Sequence, residues 1–307
     1  MPTKVSQSSG MRIGSRSPAG RLGVVTKNVV PLRAEPDNSW NVEQVTQALI
    51  GQPVIVEAGQ SQWFFVQTWD TYRGWMPKDA LRLLEESAAP YASSGPVAVI
   101  RELFADVLAE PSERAPIITK VTIGVELEVE TIHDQWVELV LPSGDHGFIR
   151  SRFARLIDKD IAQTIPLPEP QKLVETALRF IGVPYLWGGT SPFGIDCSGF
   201  VQLVYKIHNV TLLRDANMQA GDERAISLKK NDIRAGDLVF FGNGTDPDLG
   251  SITHVGMAIN GKEFIHSCGH SGVIVSSLDE PDYAEIYWGA RRMRLATLDP
   301  GGGAPED

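Results

Sequence analysis

Two cysteines in 307 residues, Cys197 and Cys268, are too few for a disulfide framework or a cysteine-rich zinc site. Positive charge is also short, since 28 Lys and Arg stand against 38 Asp and Glu for a net charge of −10. That balance argues against nucleic acid or an anionic membrane surface as the main partner, and it suits a substrate with a free amine. No apolar run is long enough to span a membrane. The opening stretch from Met1 to Arg16 is polar and rich in Ser and Gly, without the apolar core of a secretory leader, which predicts a cytoplasmic protein. The remaining composition, 42% hydrophobic and 21% charged, is that of globular domains, and the length allows two or three of them.

An internal repeat occupies the first half. Val45-Thr46-Gln47-Ala48-Leu49-Ile50-Gly51 lies over Ile118-Thr119-Lys120-Val121-Thr122-Ile123-Gly124, and the same offset carries Gln62-Trp63 onto Gln135-Trp136. It then carries Gly74-Trp75 onto Gly147-Phe148, with no gap between Val45 and Leu84. Alternating segments such as Pro53-Val54-Ile55-Val56-Glu57, separated by Gly-containing turns, read as short strands of two small β-barrels. The glycine, aromatic residue and short strand near the end of each copy resemble bacterial SH3-like domains, over 21–86 and 96–158. Residues 1–20 and 297–307 read as disordered tails, and 159–170, with Pro166, Pro168 and Pro170, as an extended linker. From 171 to 296 the pattern changes. Leu173, Val174, Ala177, Leu178 and Ile181 have helical spacing, as do Phe200, Leu203, Val204 and Ile207, and strand-like segments follow. Helices before strands predict an α+β domain.

Chemistry concentrates in this last region. Cys197 stands at the start of the second helix, where the dipole and free N–H groups favour a thiolate. A buried structural cysteine is the plain alternative, and polar Asp196 and Ser198 with the Tyr185-Leu186-Trp187-Gly188-Gly189 loop argue against it. His254 is the best-placed general base, on a strand whose same-face neighbours Gly256 and Ala258 are small. His266 follows across Asn260-Gly261-Lys262. A two-residue hairpin would put the histidines on opposite faces, so a three-residue turn with left-handed Gly261 and a bulge is predicted, making them diagonal neighbours. Cys268 is a weaker competitor for nucleophile, and His266, Cys268 and His270 lack a paired metal-ligand motif, so no metal or cofactor is expected.

Residues 171–294 resemble the NlpC-type cysteine peptidases, papain-like enzymes acting on bacterial cell-wall peptides. The shared pieces are Pro184-Tyr185-Leu186-Trp187-Gly188-Gly189, Asp196-Cys197-Ser198-Gly199-Phe200, Gly236-Asp237-Leu238-Val239-Phe240-Phe241, His254-Val255-Gly256 and Phe264-Ile265-His266. The resemblance implies a triad of Cys197, His254 and His266, with an oxyanion site at the Cys197 N–H assisted by the Tyr185 hydroxyl. Two SH3-like copies ahead of such a domain resemble the γ-D-glutamyl-L-diamino acid endopeptidases of murein recycling. These cleave after γ-D-glutamate in peptides with a free N-terminal L-alanine, so murein peptides are the implied partner. Arg214 and Asp215 match the pair that binds the substrate's amino end, although a surface ion pair is the bland reading. Ala216 replaces the family's serine. Trp187, Asp196 and Ser198 match further substrate contacts, and Asp196 also reads as a helix N-cap. Tyr72 matches a tyrosine that the first SH3-like domain lends to the pocket, while copy two has Asp145 there. Glu43 is a weaker choice for the same wall, with Pro116 as its counterpart. The alternatives are a secreted wall hydrolase anchored by its SH3-like repeats and an inactive wall-binding scaffold.

Overall fold

The computed structural model describes residues 20–161, 168–242 and 248–294. The tails expected from the sequence, but for Gly20, and half of the proline-rich linker, 162–167, lie outside the described residues. The first unit contains β1 (Arg21–Val25), β2 (Val29–Arg33), β3 (Gln44–Leu49), β4 (Pro53–Gln60), β5 (Trp63–Gln67), β6 (Arg73–Pro77) and β7 (Leu81–Leu83). The second contains β8 (Pro96–Ile100), β9 (Phe104–Leu108), β10 (Ile117–Thr122), β11 (Glu126–His133), β12 (Trp136–Val140), β13 (His146–Arg150) and β14 (Ala154–Asp158). Strand order is β3-β2-β6-β5-β4-β1-β7 in one sheet and β10-β9-β13-β12-β11-β8-β14 in the other, so the repeat in sequence is a repeat in topology. Alternation makes these strands: in β12 Val137 and Leu139 are buried while their neighbours are only half-buried.

The two small SH3-like β-units expected from the sequence are present, as sheets whose end strands do not pair. The end strands β3 and β7 share no ladder among the described residues, and neither do β10 and β14. In the first unit β7 is only three residues long, and β3 is turned toward the third unit. Val24, Leu49 and Ile50 of the first sheet enter the core of the second, alongside Val97, Leu127 and Leu139, so the two sheets share apolar packing.

The third unit opens with α1 (Pro170–Leu178), its proline at the start where a missing N–H costs nothing. After it come β15 (Thr190–Ser191), β16 (Gly194–Ile195), α2 (Cys197–Ile207) and α3 (Ala216–Ala220). A six-stranded antiparallel sheet completes it, with β17 (Ala225–Leu228), β18 (Leu238–Gly242), β19 (Ile252–Ala258), β20 (Glu263–Cys268), β21 (Gly272–Ser277) and β22 (Tyr287–Met293), and α4 (Pro281–Ala284) before the last strand. Its order is β17-β22-β18-β19-β20-β21. Helix α2 is buried at every position from Cys197 to Tyr205 and packs against β19, β20 and α1. Phe180, Phe200, Phe240, Val255 and Ile265 form the core between helices and sheet, each aromatic contributing about 2–3 kcal/mol by leaving water. Ile123 from the second front sheet joins this core, and Gly124 beside it lies within 3.4 Å of Leu203 (measured from the position a Cβ would take). The catalytic-type helix thus has its outer side covered by a front domain.

Candidate active site

Asp196 is the N-cap of α2, as its sequence position suggested. Its backbone is extended and its Oδ1 accepts from the Gly199 N–H at 2.6 Å. Cys197 therefore opens the helix, almost wholly buried, with the Val255 backbone N–H bonding toward its sulfur. Burial first, and then the Asp196 charge, push its thiol up to about 12. A thiol so placed needs a base to activate it.

The base expected from the sequence, His254, lies on β19. In the β19–β20 hairpin Met257 pairs with Ile265 and Ala258 with Phe264, leaving Asn260-Gly261-Lys262 as the loop. The odd count predicted from the sequence is present, and it brings the two histidines to one face. The left-handed glycine is not: Gly261 is absent from the positive-φ positions. Asn260 shapes the turn instead, its Oδ1 accepting from the N–H groups of Lys262 at 2.8 Å and Glu263 at 2.9 Å. Gly256 then lets the rings meet, because a Cβ there would come within 2.6 Å of the Phe264 ring and 3.1 Å of the His266 Cβ. His254 Nε2 and His266 Nδ1 stand 2.7 Å apart, with the rings nearly perpendicular.

Both imidazoles are held below their ordinary value of 6.5. Burial takes His254 to about 4, and burial together with the His254 charge takes His266 to about 3. The unfolded chain therefore binds more protons than the folded one between pH 6.5 and about 3. The pair's contribution to stability is complete above pH 6.5 and is lost as pH falls through 4 toward 3. Urea unfolding is expected to show lower stability at pH 4.5 than at pH 7.5, with a smaller drop in His266→Gln. An equal drop in both proteins would remove the histidines as its cause.

Cys197 lines a cavity of about 570 Å³ formed jointly with the first front domain. Tyr185, Trp187, Asp196, Ser198, Arg214 and Asp215 contribute from the third unit, and Glu43, Val45 and Tyr72 from the first. Every pocket residue singled out in the sequence reaches this cavity. Arg214 is not a surface ion pair with Asp215. It is only 1% exposed, and its guanidinium donates to Asp196 Oδ2 at 2.5 Å, Asp196 Oδ1 at 3.1 Å, Ser198 Oγ at 2.9 Å and Thr46 Oγ1 at 2.9 Å. Burial opposes its charge, and the Asp196 carboxylate more than restores it, so its pKa rises. Ser198 is likewise tied into this framework, its hydroxyl also donating to Asp196 at 3.2 Å.

Asp215, by contrast, has no arginine hydrogen bond. Among the described residues its carboxylate takes one hydrogen bond, from Tyr72 Oη at 3.1 Å. Burial raises its pKa, although the Arg214 charge and the Tyr72 hydrogen bond pull the other way. Tyr72 is raised as well, by burial and then by Asp215. Trp187, exposed at the mouth, donates its indole N–H to Glu43 Oε1 at 2.9 Å. The wall is thus acidic, and four of the five N–H groups of its buried cation, Arg214, are already bonded within the protein. Tyr185 sits near the thiol, its pKa raised by burial and then by the Cys197 charge.

The turn that presents Tyr72 is built for the purpose. Thr71 has φ +66°, a left-handed conformation that costs a β-branched residue about 1 kcal/mol or more. The Thr71 N–H bonds to Thr68 O and the Thr68 N–H to Tyr72 O. The same two bonds recur in copy two between Gly144 and Leu141 and between Leu141 and Asp145, where Gly144 takes the positive φ without strain. Asp70 holds the copy-one turn, accepting from Thr68 Oγ1 at 2.5 Å and from Gln202 of α2 at 2.9 Å. Gly188 allows the other close approach, since a Cβ there would lie 2.4 Å from Gln44 O. Gln44 donates to Trp187 O at 2.9 Å, and Gln47 Oε1 accepts from Thr190 N at 3.0 Å.

Thr46, Gln47, Asp70 and Gln202 were not picked out by sequence. For Asp70 a signal existed, because the repeat places Ser143 opposite it and the barrel has no need of the acid. Thr46 had none, since Thr119 stands in the same place. Cys268 ends β20 rather than lying in a loop, and no metal-holding cluster occurs among the described residues.

A buried thiol at a helix start, a base strand beside it and paired imidazoles define a hydrolase of the cysteine peptidase class. Residues 182–292 match the NlpC/P60 family, and residues 32–81 match the bacterial dipeptidyl-peptidase Sh3 domain. The chain belongs to the NlpC/P60 family. It is 32% identical to a gamma-D-glutamyl-L-lysine dipeptidyl-peptidase from Bacillus cereus, over 80% of this chain and 74% of that one. It is also 32% identical to dipeptidyl-peptidase 6 from Lysinibacillus sphaericus, over 84% and 92% respectively. The crystal structure of an NlpC/P60 family protein from Bacillus cereus superposes with a TM-score of 0.79 at 26% identity, covering 89% of this chain and all of that one.

Proposed function

We propose that the chain hydrolyses the γ-D-glutamyl–diamino acid bond of cell-wall peptides whose N-terminal L-alanine is free, in cytoplasmic murein recycling. The observation that carries this reading is the Asp215–Tyr72 pair, a half-buried carboxylate without an arginine of its own, opening onto the Cys197 cavity. An ammonium group seated there would relieve the desolvated charge that raises the Asp215 pKa. An acylated amine would bring bulk and leave that charge unpaired. The resemblance to enzymes named for γ-D-glutamyl-L-lysine supports a diamino acid on the leaving side.

In this reading His254 Nδ1 takes the Cys197 proton as the sulfur attacks the γ-carbonyl carbon. The Cys197 backbone N–H and the Tyr185 hydroxyl hold the oxyanion. His254 then protonates the leaving amine, and a thioester to γ-D-glutamate remains. Water attacks the thioester, giving its proton to His254, and the returning proton restores the thiol. His266, through its 2.7 Å contact, orients His254.

The test compares L-Ala-γ-D-Glu-diaminopimelate with its N-acetyl form, reading products by mass spectrometry. Only the free peptide is expected to turn over at an appreciable rate. Asp215→Asn should raise KM for the free peptide by about 10- to 100-fold, the worth of a charge-assisted contact. Equal cleavage of both peptides, or of intact sacculi, would sink the proposal.

A further inference from the structure

His266 is wholly buried, and its second ring nitrogen has two neighbours. Nε2 lies 3.2 Å from Ser276 Oγ on β21 and 3.3 Å from Tyr283 Oη on α4. The Tyr283 ring is itself packed edge-on against Phe264 and His266 and tilted against Phe241, which fixes where its hydroxyl points. Ser276 and Tyr283 are also hydrogen-bonded to one another. None of these groups touches the Cys197 cavity.

The tautomers along this row are linked. Since His254 Nε2 faces His266, the nitrogen left to accept a proton from the thiol is Nδ1. For Nδ1 to be free, His254 must carry its proton on Nε2 and donate it to His266 Nδ1. His266 Nδ1 must then be a bare acceptor, which places its own proton on Nε2. That buried N–H needs an acceptor, and Ser276 Oγ and Tyr283 Oη are the two within reach. With both hydroxyls gone, the row gains by reversing. His266 would then donate from Nδ1, and His254 would turn a protonated Nδ1 toward the thiol.

We propose that Ser276 and Tyr283 are positioning residues that supply the acceptor a His266 Nε2–H needs, and through it keep Nδ1 available as the basic nitrogen of His254. The proposal rests on the reading of Cys197, His254 and His266 as the catalytic groups. Neither hydroxyl is asked to move a proton in the reaction. Their work is to leave the arrangement with a basic His254 Nδ1 without an unpaired buried N–H.

Long-range 1H–15N correlation spectra of histidine-labelled protein at neutral pH distinguish the two tautomers without substrate. The wild type is expected to show Nε2–H on both His254 and His266. The double variant Ser276→Ala/Tyr283→Phe should show Nδ1–H on His266 and lose about 10- to 100-fold in kcat at unchanged KM. That loss is smaller than the roughly 10⁴-fold seen where a wrong tautomer is fully enforced. Either single variant should stay near wild type, because one acceptor remains, and Ser276→Thr with Tyr283→Phe should restore both the tautomer and kcat. An Nδ1–H tautomer on wild-type His266 would overturn the proposal. So would a double variant that keeps Nε2–H, whether its kcat is intact or falls along with its melting temperature. Failure of the catalytic reading itself would appear separately, as activity surviving Cys197→Ala.

Discussion

Cys197→Ala is expected to lower kcat by about 10⁵-fold or more, the scale on which removal of a covalent nucleophile acts. Peptide binding, followed by calorimetry, should persist in the same variant. The side chain occupies the first position of α2, where alanine is an excellent helix former, so the change removes chemistry and little else. The Asp196 cap, the Arg214 framework and the Asp215–Tyr72 pair are all left in place. Cys268→Ser supplies the contrast and should retain wild-type turnover, because that sulfur ends a strand and does not line the cavity. Residual activity in Cys197→Ala, or its loss in Cys268→Ser, would reassign the nucleophile.

Arg214→Met is expected to cost about 3–5 kcal/mol of stability and most of the activity. The substitution fills similar space but leaves Asp196 buried beside the nucleophile without its cation, and it strips hydrogen bonds from Ser198 and Thr46. Lysine at 214 should fail as well, since one ammonium cannot reproduce a planar fork that reaches Asp196 twice while still bonding Thr46. Urea unfolding and kcat measured together make the check. A loss under about 1 kcal/mol with intact turnover would show that the framework is dispensable. A cycle with Thr46→Val isolates the part of the effect that crosses between domains.

Much of this arrangement could be read from the residues alone, and the reasons differ from piece to piece. The repeat was legible because strand pattern and turn glycines recur at one spacing, from Val45 to Leu84 without a gap. Cys197 and the two histidines stood out because their chemistry needs a helix start and one strand face, both of which leave a pattern. The odd hairpin loop followed from side-chain alternation, yet its mechanism did not, since Asn260 achieves with its side chain what left-handed Gly261 was expected to supply. The partners of Arg214 were not legible for another reason. Adjacent opposite charges suggest a pair, while the partners that bury this guanidinium lie 16, 18 and 168 residues away. Such contacts carry no periodicity. Only comparison between the two copies exposes a few of them, as where Tyr72 faces Asp145 and Asp70 faces Ser143.

The hydrogen bond from Arg214 to Thr46 also has a meaning for the order in which the chain is made. Synthesis runs from the N-terminus, and domains fold largely as units as they emerge. The front sheet that carries Thr46, Asp70 and Tyr72 is therefore complete while Cys197 is still unmade. When α2 and the segment after it appear, they dock onto a surface already standing, through Gln202 to Asp70 and Arg214 to Thr46. A ribosome that stops early releases binding walls without a nucleophile. A fragment that begins after the front sheet carries the nucleophile without the wall that Glu43, Val45 and Tyr72 supply. The cavity around Cys197, with Glu43, Val45 and Tyr72 on one side, is complete only when both parts are present.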